Sequence, residues 1–132
     1  EPFAKQRPRA TRKGAFITIY TPRETKNYEK RVATEYNRIY EGIQLSGALT
    51  MKIEGTFSIP KSASKKKQSK MLSGEIPHIK KPDADNMAKV CLDALNGIAY
   101  PDDAIIDHLI ISKKYGKEPN INIRIFENKK DS

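Results

Sequence analysis

The chain has one cysteine, no tryptophan and no long apolar run, and each shortage narrows what it can be. A lone Cys91 cannot close an internal disulfide, which suits a reducing compartment and a cytoplasmic protein. Apolar runs such as Ala15–Ile17 and Leu109–Ile111 are far too short to cross a bilayer, so no membrane partner is expected. No signal peptide is recognisable at the start, where the chain opens on Glu1 rather than methionine. There is no glycine-rich phosphate loop and no nucleophilic Ser/His pair. Zinc is disfavoured as well, because His78 and His108 fall on separate elements and Cys91 falls within an apolar stripe.

Acidic residues are scarce over residues 1–82, where 18 Lys and Arg face 7 Asp and Glu; over 83–132 the balance reverses to 7 against 9. The contrast sharpens on either side of Pro82. Seven lysines and one acid, Glu75, occupy Lys61–Lys81, whereas six aspartates and one base, Lys89, occupy Asp83–Asp107. A net charge of +9 points to a polyanion partner. The aspartates would repel that partner unless a divalent cation neutralised them, so carboxylate, metal and phosphate make sense together. Lysine runs are also commonly no more than solvated surface.

One hundred and thirty-two residues with 37% hydrophobic and 31% charged content suit a single domain with a modest core. Residues 1–14 read as a basic extended arm carrying Lys5, Arg7, Arg9, Arg12 and Lys13, punctuated by prolines. Ala15–Tyr20 is β-branched and aromatic, and Thr21–Pro22 ends that strand. From Thr25 to about Ile43, Tyr28, Val32, Tyr36, Ile39, Tyr40 and Ile43 recur at helical spacing, so these tyrosines are assigned to the core rather than to base stacking. Leu49–Ile59 alternates as a strand. In Ser62–Leu72, Lys65, Lys66, Lys67 and Lys70 ride on a short helix, and Ser73–Lys81 reads as a mobile loop in which His78 faces DNA or solvent.

Asp85 is the expected N-cap of the next helix, whose buried stripe is Met87, Val90, Cys91, Ala94 and Leu95; Gly97 stops it. After Pro101–Asp102–Asp103, Ile105–Tyr115 and Ile121–Phe126 read as an antiparallel pair, with His108 a strand residue that has a local partner. The order β-α-β-(α)-α-β-β implies an α+β domain: a mixed sheet with helices packed against it.

Chemistry concentrates in Lys81-Pro82-Asp83-Ala84-Asp85-Asn86-Met87-Ala88-Lys89. Asp83 and Asp85 are two apart, so in extended chain their side chains point the same way, and Lys89 follows one helical turn after Asp85. Asp102 and Asp103 come after the helix, where a short return would bring one of them beside the first pair. Converging carboxylates form a hard-oxygen site for Mg²⁺ or Mn²⁺. Each acid also has a plainer reading: Asp85 as a cap, Asp102 and Asp103 as a turn, Asp93 as a helix-surface partner of Lys89. A calcium loop starting at Asp83 fails, since Met87, Ala88 and Ala94 stand where an oxygen ligand, glycine and glutamate are needed.

The run Pro82-Asp83-Ala84-Asp85-Asn86-Met87-Ala88-Lys89, then Leu92-Asp93-Ala94-Leu95-Asn96-Gly97 and Asp102-Asp103, resembles the RusA-type Holliday junction resolvases of bacteria and their prophages. Arg7-Pro8-Arg9, Tyr20-Thr21-Pro22 and the lysine-rich stretch before the motif are similar too, so the likeness covers most of the chain. It implies a homodimeric endonuclease that binds four-way DNA junctions and cuts them symmetrically with magnesium, in recombination and repair. Asp83, Asp85 and Asp103 match the essential acidic positions and Lys89 the essential lysine, while Asp102 matches the first of the acidic pair. Ile105 stands where a glutamine is common, a departure that bears on sequence preference or fine geometry. On this reading Asp83, Asp85 and Asp103 hold the metal, Lys89 supports charge on the phosphate, and Arg7, Arg9, Arg12, Lys13, Lys65, Lys66, Lys67, Lys70, Lys80 and Lys81 grip the DNA. Two other classes stay open: a non-catalytic DNA- or RNA-binding module, and a less selective nuclease acting on flaps or forks.

Overall fold

Alternating β-branched and polar residues make four strands, and amphipathic stripes make the helices that cover one side of them. The computed structural model describes residues 14–20 and 28–128. The basic residues Arg7, Arg9, Arg12 and Lys13, the turn expected at Thr21–Pro22, the expected start of the first helix and the charged tail from 129 onward lie outside the described residues.

The elements are β1 (Gly14–Tyr20), α1 (Tyr28–Tyr40), β2 (Leu49–Ser58), α2 (Lys65–Ser73), α3 (Ala84–Leu95), a 3₁₀ turn at Asp103–Ile105, β3 (Ile106–Gly116) and β4 (Asn120–Glu127). They build the expected α+β domain with a mixed sheet, in the order β1-β4-β2-β3. β4 runs antiparallel to both β1 and β2, and β3 runs parallel to β2. The two last strands are therefore not partners, contrary to the sequence expectation. α2 and α3 form the crossover that a parallel β2/β3 pair requires. Residues 117–119 then step past the end of β2, about 10 Å across two strand spacings, so that β4 lands on its far side.

Ile17, Ile19, Met51, Ile53, Ile121, Ile123 and Ile125 point to the side occupied by α1 and α3 and are all but inaccessible. Val32, Tyr36 and Tyr40 of α1, with Met87, Cys91, Ala94 and Leu95 of α3, close the core above them. Tyr36 donates to the Ile43 carbonyl, and the Phe16 N–H donates to the Tyr40 hydroxyl at 2.9 Å. Burial first, and then the neighbouring Tyr40, push the Tyr36 phenol up to about 12. Tyr36 and Tyr40 are thus core, as their spacing predicts, and Tyr28 packs half-buried against it. Among the described residues no helix is long and apolar enough to cross a membrane.

Candidate active site

α3 begins at Ala84, and its N-cap is Asp83 in extended geometry rather than Asp85, which sits in the first turn. The difference matters. The Asp83 carboxylate makes no capping hydrogen bond, and neither it nor Asp85 has a hydrogen-bond or ion-pair partner among the described residues. Both are exposed at the positive end of the helix dipole, which favours gathered negative charge. Lys89, one turn further on, is exposed and 3.9 Å from Asp93, the pairing that the spacing suggests.

The other acidic group stands at the opposite end of α3. Asn96 caps that end, Gly97 turns the chain with φ +78, and the Asn96 Oδ1 accepts the backbone N–H of Asp103 at 2.9 Å. Asp102 spends its carboxylate on the Ala104 N–H at 3.0 Å, capping the short 3₁₀ turn. The Asp103 carboxylate has no such partner among the described residues. Tyr100, buried beneath, has its phenol pushed up by burial first and by Asp103 next, with Asp93 and Asp102 adding to it.

The short return expected from sequence thus does not bring Asp103 to Asp83 and Asp85 within one chain. Twelve residues of helix separate the two groups, roughly 18 Å at about 1.5 Å per residue. Among the described residues no three His, Cys, Asp or Glu side chains gather as a metal-binding cluster. The physical reason is the length of α3: twelve helical residues hold its two ends apart. Each half nevertheless fits a hard cation in chemistry, since Asp83, Asp85 and Asp103 all offer uncommitted carboxylate oxygens.

Lysines precede the first group along the chain. α2 is capped by Ser64 and ended by Gly74 at φ +90; it anchors by buried Met71 and leaves Lys65, Lys66, Lys67 and Lys70 exposed. Lys80 and Lys81 are exposed just before Asp83. The intervening loop, expected to be mobile, is docked. Ile76 N–H donates to Lys70 O at 3.1 Å, and Lys113 Nζ donates to the carbonyls of Lys80 and Pro82 at 2.7 and 2.9 Å. His78 is not a DNA-facing or solvated residue either. It is buried, stacked on Phe57 at 4.2 Å and edge-on to Tyr115 at 4.9 Å. Burial, then the Lys113 and Lys80 ammoniums, hold the His78 imidazole below its ordinary pKa.

His108 keeps its local partner, Asp107, at 3.6 Å. Cys91 is buried and its thiol is pushed up to about 12, so it is core material rather than a nucleophile or metal ligand. Lys113 is the site residue that pattern reading missed. Only its place on β3, at the rung opposite Gly55, brings it beneath the motif.

The fold is a basic α+β domain with two exposed carboxylates at the start of α3. Residues 1–126 match the family model described as Endodeoxyribonuclease RusA. A protein of Bacillus subtilis (strain 168) named Uncharacterized protein YqaN is 33% identical over 129 residues, covering 96% of this chain and 91% of that protein. The chain belongs to the RusA endodeoxyribonuclease family.

Proposed function

We propose that this chain is a Mg²⁺-dependent endodeoxyribonuclease that resolves four-way junctions as a homodimer, in recombination and repair in a bacterial or phage-infected cytoplasm. The observation that carries the reading is the pair of exposed, uncommitted carboxylates, Asp83 and Asp85, opening a helix directly after the exposed Lys80 and Lys81. Mg²⁺, or Mn²⁺ in its place, would supply an activated water and offset charge on the attacked phosphate. Asp83 and Asp85 would hold the cation, and Lys89, one turn on, would support the charge that develops on phosphate oxygens. The lysines of α2, with Lys80 and Lys81, grip the backbone of the junction arms and give sequence-blind affinity.

Dimerisation supplies what one chain lacks. α3 runs antiparallel to β3, since its start lies by Lys113 and its end lies by Asp103, just before the strand begins. β3 is an edge strand whose middle residues Leu109 and Ile110 are exposed. Two-fold pairing of β3 strands about that middle lays two α3 helices side by side in opposite directions. Asp83 and Asp85 of one chain then face Asp103 of the other. Two such composite sites match the two cuts that symmetric resolution demands.

The test uses a synthetic four-way junction, a flap, a fork and plain duplex, each with and without Mg²⁺. Paired cuts confined to the junction and requiring Mg²⁺ are expected. Equal cutting of flap and fork would replace the junction reading, and binding without cleavage would leave only a DNA-binding module.

A further inference from the structure

The aspartate motif is seated on two rungs of the parallel β2/β3 ladder, Gly55–Lys113 and Phe57–Tyr115, with the Thr56–Lys114 rung between them. At the first rung, the absence of a side chain on Gly55 admits Met87 of α3; a Cβ there would lie 2.6 Å from the Met87 Cε. This lets the first turn of α3 rest directly on the sheet. On the neighbouring strand, the Lys113 ammonium donates to the Lys80 and Pro82 carbonyls at 2.7 and 2.9 Å. Charge-assisted bonds at such distances are the strong kind, and Pro82 is the residue immediately before Asp83. At the second rung, His78 lies on Phe57 with its ring tilted only 18° and meets Tyr115 at 62°, clamping the loop four residues upstream.

We propose that Lys113 is a positioning residue for the nuclease reaction: it fixes the backbone on either side of Lys81 and so sets where the Asp83 and Asp85 carboxylates stand. The proposal rests on the reading of those aspartates as cation ligands. Lys113 touches neither carboxylate. Its role is that of a group behind the ligands, the kind whose loss loosens the cation without removing a ligand. A surface lysine engaged only with water would do nothing of the sort.

The experiment measures Mn²⁺ binding by electron paramagnetic resonance on the purified full chain, alongside junction cleavage over a Mg²⁺ series and the melting temperature. Lys113→Met keeps the aliphatic stem and removes the donors. It is expected to weaken Mn²⁺ about tenfold or more and to move half-saturation in Mg²⁺ upward by a like factor, with cleavage at saturating Mg²⁺ much less affected. Lys113→Arg, which keeps a charged fork, is expected to restore Mn²⁺ binding to within about threefold. Should Lys113→Met not fold, Lys113→Gln carries the same expectation. Wild-type Mn²⁺ affinity in a folded variant lacking the ammonium, with Asp85→Asn deficient, would overturn the proposal and leave the aspartate reading standing. Wild-type Mn²⁺ affinity in Asp85→Asn would instead remove the reading on which the proposal rests.

Discussion

The side chain of Asn96 holds the backbone of Asp103: its Oδ1 accepts the Asp103 N–H at 2.9 Å, tying the acidic turn to the end of α3. Asn96 also terminates the helix, so one residue sets both where α3 stops and where Asp103 stands. Asn96→Ala removes the acceptor, and a drop in cleavage of about tenfold to a hundredfold is expected, the range for losing a group that orients a ligand. The measurement is single-turnover cutting at saturating protein, with melting followed in parallel. Undiminished cutting would mean that the Asp103 position does not matter to the chemistry.

Asp85→Asn is expected to abolish cleavage yet leave junction affinity equal or higher, because it removes negative charge next to phosphate while sparing every lysine. Gel-shift titration without Mg²⁺ and cleavage with it separate the two quantities. Normal cutting by this variant would sink the assignment of the site.

Mixing chains tests whether the site spans two molecules. Asp85→Asn and Asp103→Asn proteins are each expected to be inactive. Refolded together, they form some mixed dimers in which one composite site has every carboxylate, so nicking of a junction should return. If each site belonged to one chain, the mixture would stay as inactive as its parts.

Affinity for the junction in the absence of cleavage should fall steeply with salt, because cations on the phosphates displace condensed counterions. Replacing the four exposed lysines of α2, Lys65, Lys66, Lys67 and Lys70, by glutamine should flatten the log–log slope by about 2 to 4. An unchanged slope would take α2 off the DNA-binding surface.

His78 gives a pH dependence whose sign follows from its depressed pKa. The unfolded chain binds the proton near the ordinary value of 6.5, and the folded chain resists it because burial and then Lys113 and Lys80 disfavour a third positive charge. The stability is complete above that ordinary value and drains away as pH falls through the lower, folded one. The melting temperature should therefore decline on acidification below neutrality. His78→Phe should flatten that decline without loss of stability at neutral pH, because the buried Nδ1 has no hydrogen-bond partner among the described residues to lose. A decline of equal steepness in the variant would assign the acid sensitivity elsewhere.

The elements themselves were legible in one dimension, since helical and strand periodicities are local. Of the stripe Met87, Val90, Cys91, Ala94 and Leu95, all but the half-buried Val90 join the core, and Leu49, Met51 and Ile53 alternate into it where the pattern puts them. The acidic motif was equally plain, because Asp83, Asp85 and Lys89 are neighbours along the chain. Local pattern therefore settles the elements, the excess of positive charge before Pro82 and the carboxylates after it.

Partnership across distance follows from the packed fold. β4 inserts between β1 and β2, so Ile106–Gly116 and Asn120–Glu127 never pair, although three residues join them. That same choice of neighbours leaves β3 at an edge, carries Lys113 beneath the loop and buries His78 between Phe57 and Tyr115. It also keeps Asp103 a full helix away from Asp83. Strand order depends on which apolar faces cover one another across the whole molecule, a non-local balance of burial that no local period encodes.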